Sequence, residues 1–277
     1  MRIKKSLLAL ILLAAATAEA HDLFLKLETY FVQPESKAVV RLLNGTFKAS
    51  DGLVARERMR NISVLSPHGD KAGAEAVGWR DEKQTTIMEI QTGKPGTYVA
   101  GVSTYPKEIA LKAADFNEYL AHDGIPDMLA ARRKAGQLHR DARERYSKHV
   151  RAVFQVGDAV SDDFQRSLNY PVEIIPQQNP YTLSVGQSLT VRCLLESQPL
   201  VNQFVMAGWE NRAGKLQQLT TRTDQDGFAR IKLAGPGKWY VKFIHMRPLS
   251  EPGLDYESKW ATLTFQIKSD GRKMVGN

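Results

Sequence analysis

The feature that most constrains this chain is a long succession of short apolar runs, each closed by turn residues and interrupted once by a helical stretch. Near its start, His21, Leu23, Leu25 and Leu27 share one phase of a two-residue period, with Asp22, Lys26 and Glu28 on the other. That is the pattern of a strand with one buried face. Val39–Leu43 ends at Asn44-Gly45, Arg60–Leu65 at Pro67-His68-Gly69, and Thr85–Ile90 at Gly93-Lys94-Pro95-Gly96, after which Thr97–Val102 forms a fifth run. A second series covers Val172–Ile175, Leu189–Leu195, Phe204–Trp209, Leu216–Thr221, Phe228–Leu233, Trp239–Ile244 and Ala261–Ile267. Strands of this length and spacing indicate β-sandwiches.

Between the two series the period changes. Asp115-x-x-Glu118 opens a helix carrying Phe116, Tyr119 and Leu120, and Gly124 ends it. Pro126 suits the first turn of a second helix, expected to run through Met128 to about Tyr146. Its less polar face is Leu138, Ala142 and Tyr146, with His149 beyond; this face is expected to pack on the first sandwich, leaving His139 in solvent. The expected fold class is all-β, with two immunoglobulin-like β-sandwiches and a helical insertion between them. The segments are 1–20 (export signal), 21–106 (first sandwich), 107–148 (insert), 149–170 (returning strand and linker), 171–268 (second sandwich) and 269–277 (tail). A short echo, Lys94-Pro95-Gly96-Thr97-Tyr98 against Gly235-Pro236-Gly237-Lys238-Trp239, fits two similar halves.

Residues 1–20 have the form of an export signal: basic Arg2, Lys4 and Lys5, the apolar run Leu7–Ala15, and Ala18-x-Ala20 before the expected cut. The expected location is the periplasm or outside the cell, and no later apolar run is long enough to span a membrane. The single cysteine, Cys193, lies in an apolar strand, has no disulfide partner in the chain and reads as a buried, inert thiol. The formal charge of +8 over 277 residues comes without any nucleic-acid-binding motif, so no nucleic-acid partner is expected.

Cleavage after Ala20 would make His21 the first residue. It would then offer an α-amine and an imidazole that close a chelate ring on a metal, which an internal histidine cannot do. Of the other histidines, His68 reads as a turn residue and His122 as a polar helix end. His245 ends the inward face Trp239, Val241, Phe243, and His149 ends the inner stripe of the insert. The expected metal ligands are therefore His21, His149 and His245, converging where the sandwiches and insert meet, on nickel, cobalt, copper or zinc. No His-x-His, His-Glu-x-x-His, Cys-x-x-Cys or Gly-x-Ser-x-Gly pattern is present, and no carboxylate pair stands out, so the residues themselves indicate binding and not catalysis.

The stretches Ala20–Leu25, Asn44-Gly45-Thr46-Phe47, Pro95–Tyr98, Asp115–Leu120, Glu144–His149, Thr223–Gly227 and Trp260–Phe265 resemble, together, a bacterial family of exported proteins of unassigned function. Its members are commonly labelled nickel-uptake proteins or periplasmic components of cobalt transport. The second half also looks like sandwich modules of carboxypeptidase-regulatory or surface-protein type. The resemblance implies a periplasmic protein that assists nickel, cobalt or copper handling, with an inner- or outer-membrane transporter as partner. The alternative is a non-enzymatic structural or interaction module of the cell envelope. A third reading is a copper oxidase using the N-terminal histidine as a brace.

Overall fold

The computed structural model describes residues 21–269, apart from 68, 70 and 212. The expected export signal therefore lies outside the described residues, as do the turn residue His68 and all but the first residue of the expected tail. The strands are β1 (Asp22–Leu27), β2 (Phe31–Val32), β3 (Lys37–Gly45), β4 (Ser50–Gly52), β5 (Met59–Leu65), β6 (Lys71–Ala72), β7 (Val77–Glu82), β8 (Thr85–Gln91), β9 (Gly96–Thr104) and β10 (Lys107–Leu111). After the helices α1 (Ala113–His122) and α2 (Pro126–Lys134) come β11 (Ala142–Val156), β12 (Val172–Pro176), β13 (Ser188–Leu195), β14 (Gln198–Pro199), β15 (Phe204–Glu210), β16 (Leu216–Arg222), β17 (Phe228–Lys232), β18 (Gly237–Pro248) and β19 (Tyr256–Ile267). The chain is thus mostly β, as expected. Among the described residues no helix is long and apolar enough to cross a membrane.

The strands form three sheets. The largest runs β16-β15-β18-β19-β11-β9-β5-β6, with β2 and β10 also paired to β11. It joins the two halves of the chain through a parallel pairing of β11 with β19, from Glu144 opposite Tyr256 to Ala152 opposite Thr264. The sheet β1-β3-β8-β7 supplies one core, in which Leu23, Leu25, Leu42 and Met88 pack with Ala100, Val150, Ala152 and Phe154 of the large sheet. The sheet β12-β13-β14, with β17, supplies the other, in which Ile174, Val191 and Ile231 pack with Val153, Trp239, Val241, Phe243 and Leu263. The two cores lie on opposite faces of one sheet, and the strand expected from residue 149 is the second part of β11. β9 is buried along its whole length, as a strand covered on both faces must be. Cys193 is buried without a disulfide, and burial raises its thiol pKa.

The insert differs from expectation. α2 stops at Lys134, and Gly136 follows in the left-handed region at φ +65°, the position where glycine ends helices without a steric cost. From Ala142 the chain is already β11, so Leu138, Ala142 and Tyr146 are not one helical face. The helices pack instead on β18 and β19, with the Tyr119 ring stacked on Trp260 (centroids 5.6 Å) and Phe116 on Tyr256 (5.1 Å). His139 is exposed, as expected.

Candidate functional site

A cavity of about 430 Å³ opens where β1, the β3–β4 turn, α1, the β15–β16 hairpin and β18 meet. Its deep residues are Phe24, Phe47, Tyr119, Tyr240 and Lys242, all buried. His21, Asp115, Glu118 and His122 line its more open parts. β1 is carried here by β19, whose Thr262 hydroxyl donates to the Leu23 carbonyl (2.9 Å) and whose Thr264 hydroxyl donates to that of Leu25. Alternation along β1 then sends Leu23, Leu25 and Leu27 into the core and turns Phe24 toward Phe47 and Tyr240. Gly208 of β15 makes room for the Tyr240 ring, since a Cβ there would lie 2.6 Å from it.

Charge is concentrated at the inner end. Lys242 Nζ donates to Asp22 (2.5 Å) and to Asp123 (3.1 Å) while its side chain is 5% exposed. Burial opposes the ammonium charge, and the two carboxylates more than offset that, so its pKa stays above the lysine range. Burial also raises the pKa of Asp123. The second oxygen of Asp22, Oδ1, is buried and has no partner among the described residues. From β11, Lys148 donates to the His21 carbonyl and to Asn44 Oδ1 (3.1 Å). Burial lowers its pKa to about 8. At the mouth, the His21 imidazole Nδ1 lies 3.5 Å from the Asp51 carboxylate. Gly45 closes this corner: a Cβ on it would meet that carboxylate at 2.5 Å and the Ala49 carbonyl at 2.6 Å.

Behind the cavity wall, Glu144 is fully buried. Tyr119 donates to it (3.1 Å), as does Ser258, which itself accepts from the Trp260 indole (2.8 Å). Its other oxygen has no partner among the described residues, and burial raises the carboxyl pKa to about 7. A carboxyl that keeps its proton longer in the folded state favours folding below pH 4.5, where both states are protonated. That advantage is lost as the pH rises to 7. The difference of about 2.5 pH units corresponds to about 3 kcal/mol. Glu144→Gln is expected to remove this slope and to be the more stable protein at pH 8, by up to about 3 kcal/mol. Denaturant unfolding at pH 5 and 8 reads it, and parallel profiles for the two proteins would show that Glu144 is solvated.

The structure separates the three histidines expected to meet. His149 aligns across β19 with Ala261, and Ala261 with Phe243 of β18, so His149 faces the second core. His245, two residues beyond Phe243, shares that face. Lys148 and Lys242, which hold His21 and Asp22, project from the opposite face. Both ring nitrogens of His149 are engaged, Nδ1 with Ser103 (2.8 Å) and Nε2 with Ser147 (2.9 Å), and burial lowers its pKa to about 3. His245 lines a different cavity with Met128, Phe204 and Met246. Among the described residues, no three His, Cys, Asp or Glu side chains are grouped to hold a metal ion. Of the expected ligands only His21 lines the large cavity; its neighbours there are His122, Asp22 and Asp123. Three of the stretches that carried the family resemblance, Ala20–Leu25, Asn44–Phe47 and Asp115–Leu120, contribute to its wall. Lys242, a lone charge within the apolar run Trp239–Ile244, was the overlooked signal in β18.

No curated protein matches the chain. Among solved structures, the D0-D1 domain of intimin is similar over 87% of this chain and 96% of its own, at 12% identity and a TM-score of 0.20. A tetra-tandem repeat from the extending region of a large adhesion protein is similar over 90% of this chain and 50% of its own, at 12% identity and a TM-score of 0.24. The family described as a domain of unknown function, DUF4198, matches residues 18–247, and the chain belongs to that family.

Proposed function

We propose that this is an exported, periplasmic or secreted, metal-binding protein that assists nickel, cobalt or copper handling, with His21 as the anchor. The supporting observation is the pairing of the His21 imidazole with Asp51, 3.5 Å apart at the cavity mouth. Nitrogen and oxygen ligands at usual bond lengths on a tetrahedral metal stand about 3.4 Å apart, so this pair fits two ligands of one ion. Cleavage after Ala20 adds the α-amine as a third donor. Lys148, by holding the His21 carbonyl, limits the freedom of this residue before the metal arrives. In this reading Asp51 takes the place of His149 and His245, the role is binding without turnover, and a membrane transporter is the partner that receives the ion.

The decisive comparison uses nickel and copper titrations of protein starting at His21 and of protein carrying two extra residues before it. The extension keeps the imidazole and turns the amine into an amide, a poor ligand. Affinity is expected to fall about 100-fold or more, in line with the loss of one ring-closing donor. With an unperturbed amine pKa of about 7.7–8.0, binding by the cleaved protein should weaken as the pH drops below neutrality, because protons compete with the metal for its nitrogen donors. Equal affinities for the two proteins would overturn the chelate and leave the envelope interaction module as the better reading.

A further inference from the structure

A bare metal ion at the mouth leaves the cavity behind it unused. Its volume of about 430 Å³ lies in the range of pockets that enclose small organic molecules, about 300–1,000 Å³. We propose that this cavity binds a small organic cation, independently of any metal at His21.

Two observations converge on that class. The first is charge. Asp22, Asp115, Glu118 and Asp123 line the cavity against the single ammonium of Lys242, so a chain with a formal charge of +8 carries a locally acidic hollow. Lys242 is already committed to Asp22 and Asp123, which leaves the Asp115 and Glu118 charges uncompensated within the cavity. The second is the aromatic cluster of Phe24, Phe47 and Tyr240, whose rings lie 5.0–5.3 Å from one another. Ring faces attract cations, and the Lys26 ammonium already sits 4.5 Å from the centre of the Phe47 ring. An anionic ligand meets repulsion from the first feature and gains nothing from the second.

Calorimetric titration of the metal-free protein with putrescine, butanediol and succinate tests this. These probes share a four-carbon chain and differ in charge. Putrescine is expected to bind with saturable heat, with butanediol and succinate at least about tenfold weaker, as charge selection requires. Asp115→Asn with Glu118→Gln changes only exposed side chains, so the fold should persist by circular dichroism while putrescine affinity falls about tenfold. Because the titrated protein holds no metal, saturable putrescine heat separates this site from the metal chelate. No putrescine binding, equal binding of butanediol, preference for succinate, or an unaffected double variant would each overturn the proposal.

Discussion

Replacing Lys242 with methionine is expected to destabilise the fold by about 3–5 kcal/mol, the usual result of removing one partner from a buried ionic cluster. Methionine keeps the unbranched shape and fills the same channel in β18, so the loss isolates the charge. Without the ammonium, Asp22 and Asp123 face each other's field with no cation between them, and Asp22 begins with one oxygen that has no partner among the described residues. Burial already raises the Asp123 pKa in the intact protein. Removing the cation beside it must raise it further. The folded variant then holds protons that its unfolded chain releases, so it should recover part of the loss as the pH is lowered from 7 toward 5. Lys242→Met combined with Asp22→Asn should also recover part of it at neutral pH. Denaturant midpoints of the three proteins at both pH values give the answer, and a loss below about 1 kcal/mol would mean that water reaches the cluster and screens it.

Acid should act through His149. The neutral ring donates from one nitrogen and accepts at the other, which two serine hydroxyls can match, and burial holds its pKa down to about 3 against the ordinary 6.5. The stability contributed by the neutral ring is complete above pH 6.5 and is lost as the pH falls toward 3. Over that window the unfolded chain takes up a proton that the folded one refuses, amounting to about 4–5 kcal/mol. His149→Gln retains a donor and an acceptor but does not titrate. Its absolute stability is expected to be lower at pH 7, and its decline from pH 6.5 to 3 shallower than that of the parent. Equal slopes would assign the acid response to other groups.

The strands were legible because each carries its own period. Val39–Leu43, Thr85–Ile90 and Leu189–Leu195 lie within β3, β8 and β13, and the turns between them have recognisable residues. Where a segment carried a mixed signal the reading failed: the stretch from Ala142 to Lys148 is rich in charge and looked like the end of a helix, while its alternate residues Ala142 and Glu144 are buried as in a strand. The site was less legible for a deeper reason. Alternation shows which residues of a strand share a face, and it put His245 on the face of Trp239 and Phe243, whereas His149 was read inward from a helical stripe that the strand β11 replaces. It does not show which of two cores is meant. That depends on the pairing of β11 with β19, more than a hundred positions away. Lys242, out of phase with Trp239 and Phe243, points to the other face and so meets Asp22 at the head of β1.

The parallel pairing of β11 with β19 also dictates when the molecule can assemble. A chain made from its N-terminus forward has synthesised every other strand before β19 exists. Yet β19 gives Leu263, Phe265 and Ile267 to one core, and on its reverse side Thr262 and Thr264 hold the carbonyls of β1. The second core cannot close without it, and until then the first lacks the hydroxyls that anchor β1. Completion of the fold is therefore a late event that spans nearly the full chain, with the slow kinetics of distant pairings, and a break before residue 256 would open the second core and release β1 from its anchors in the first.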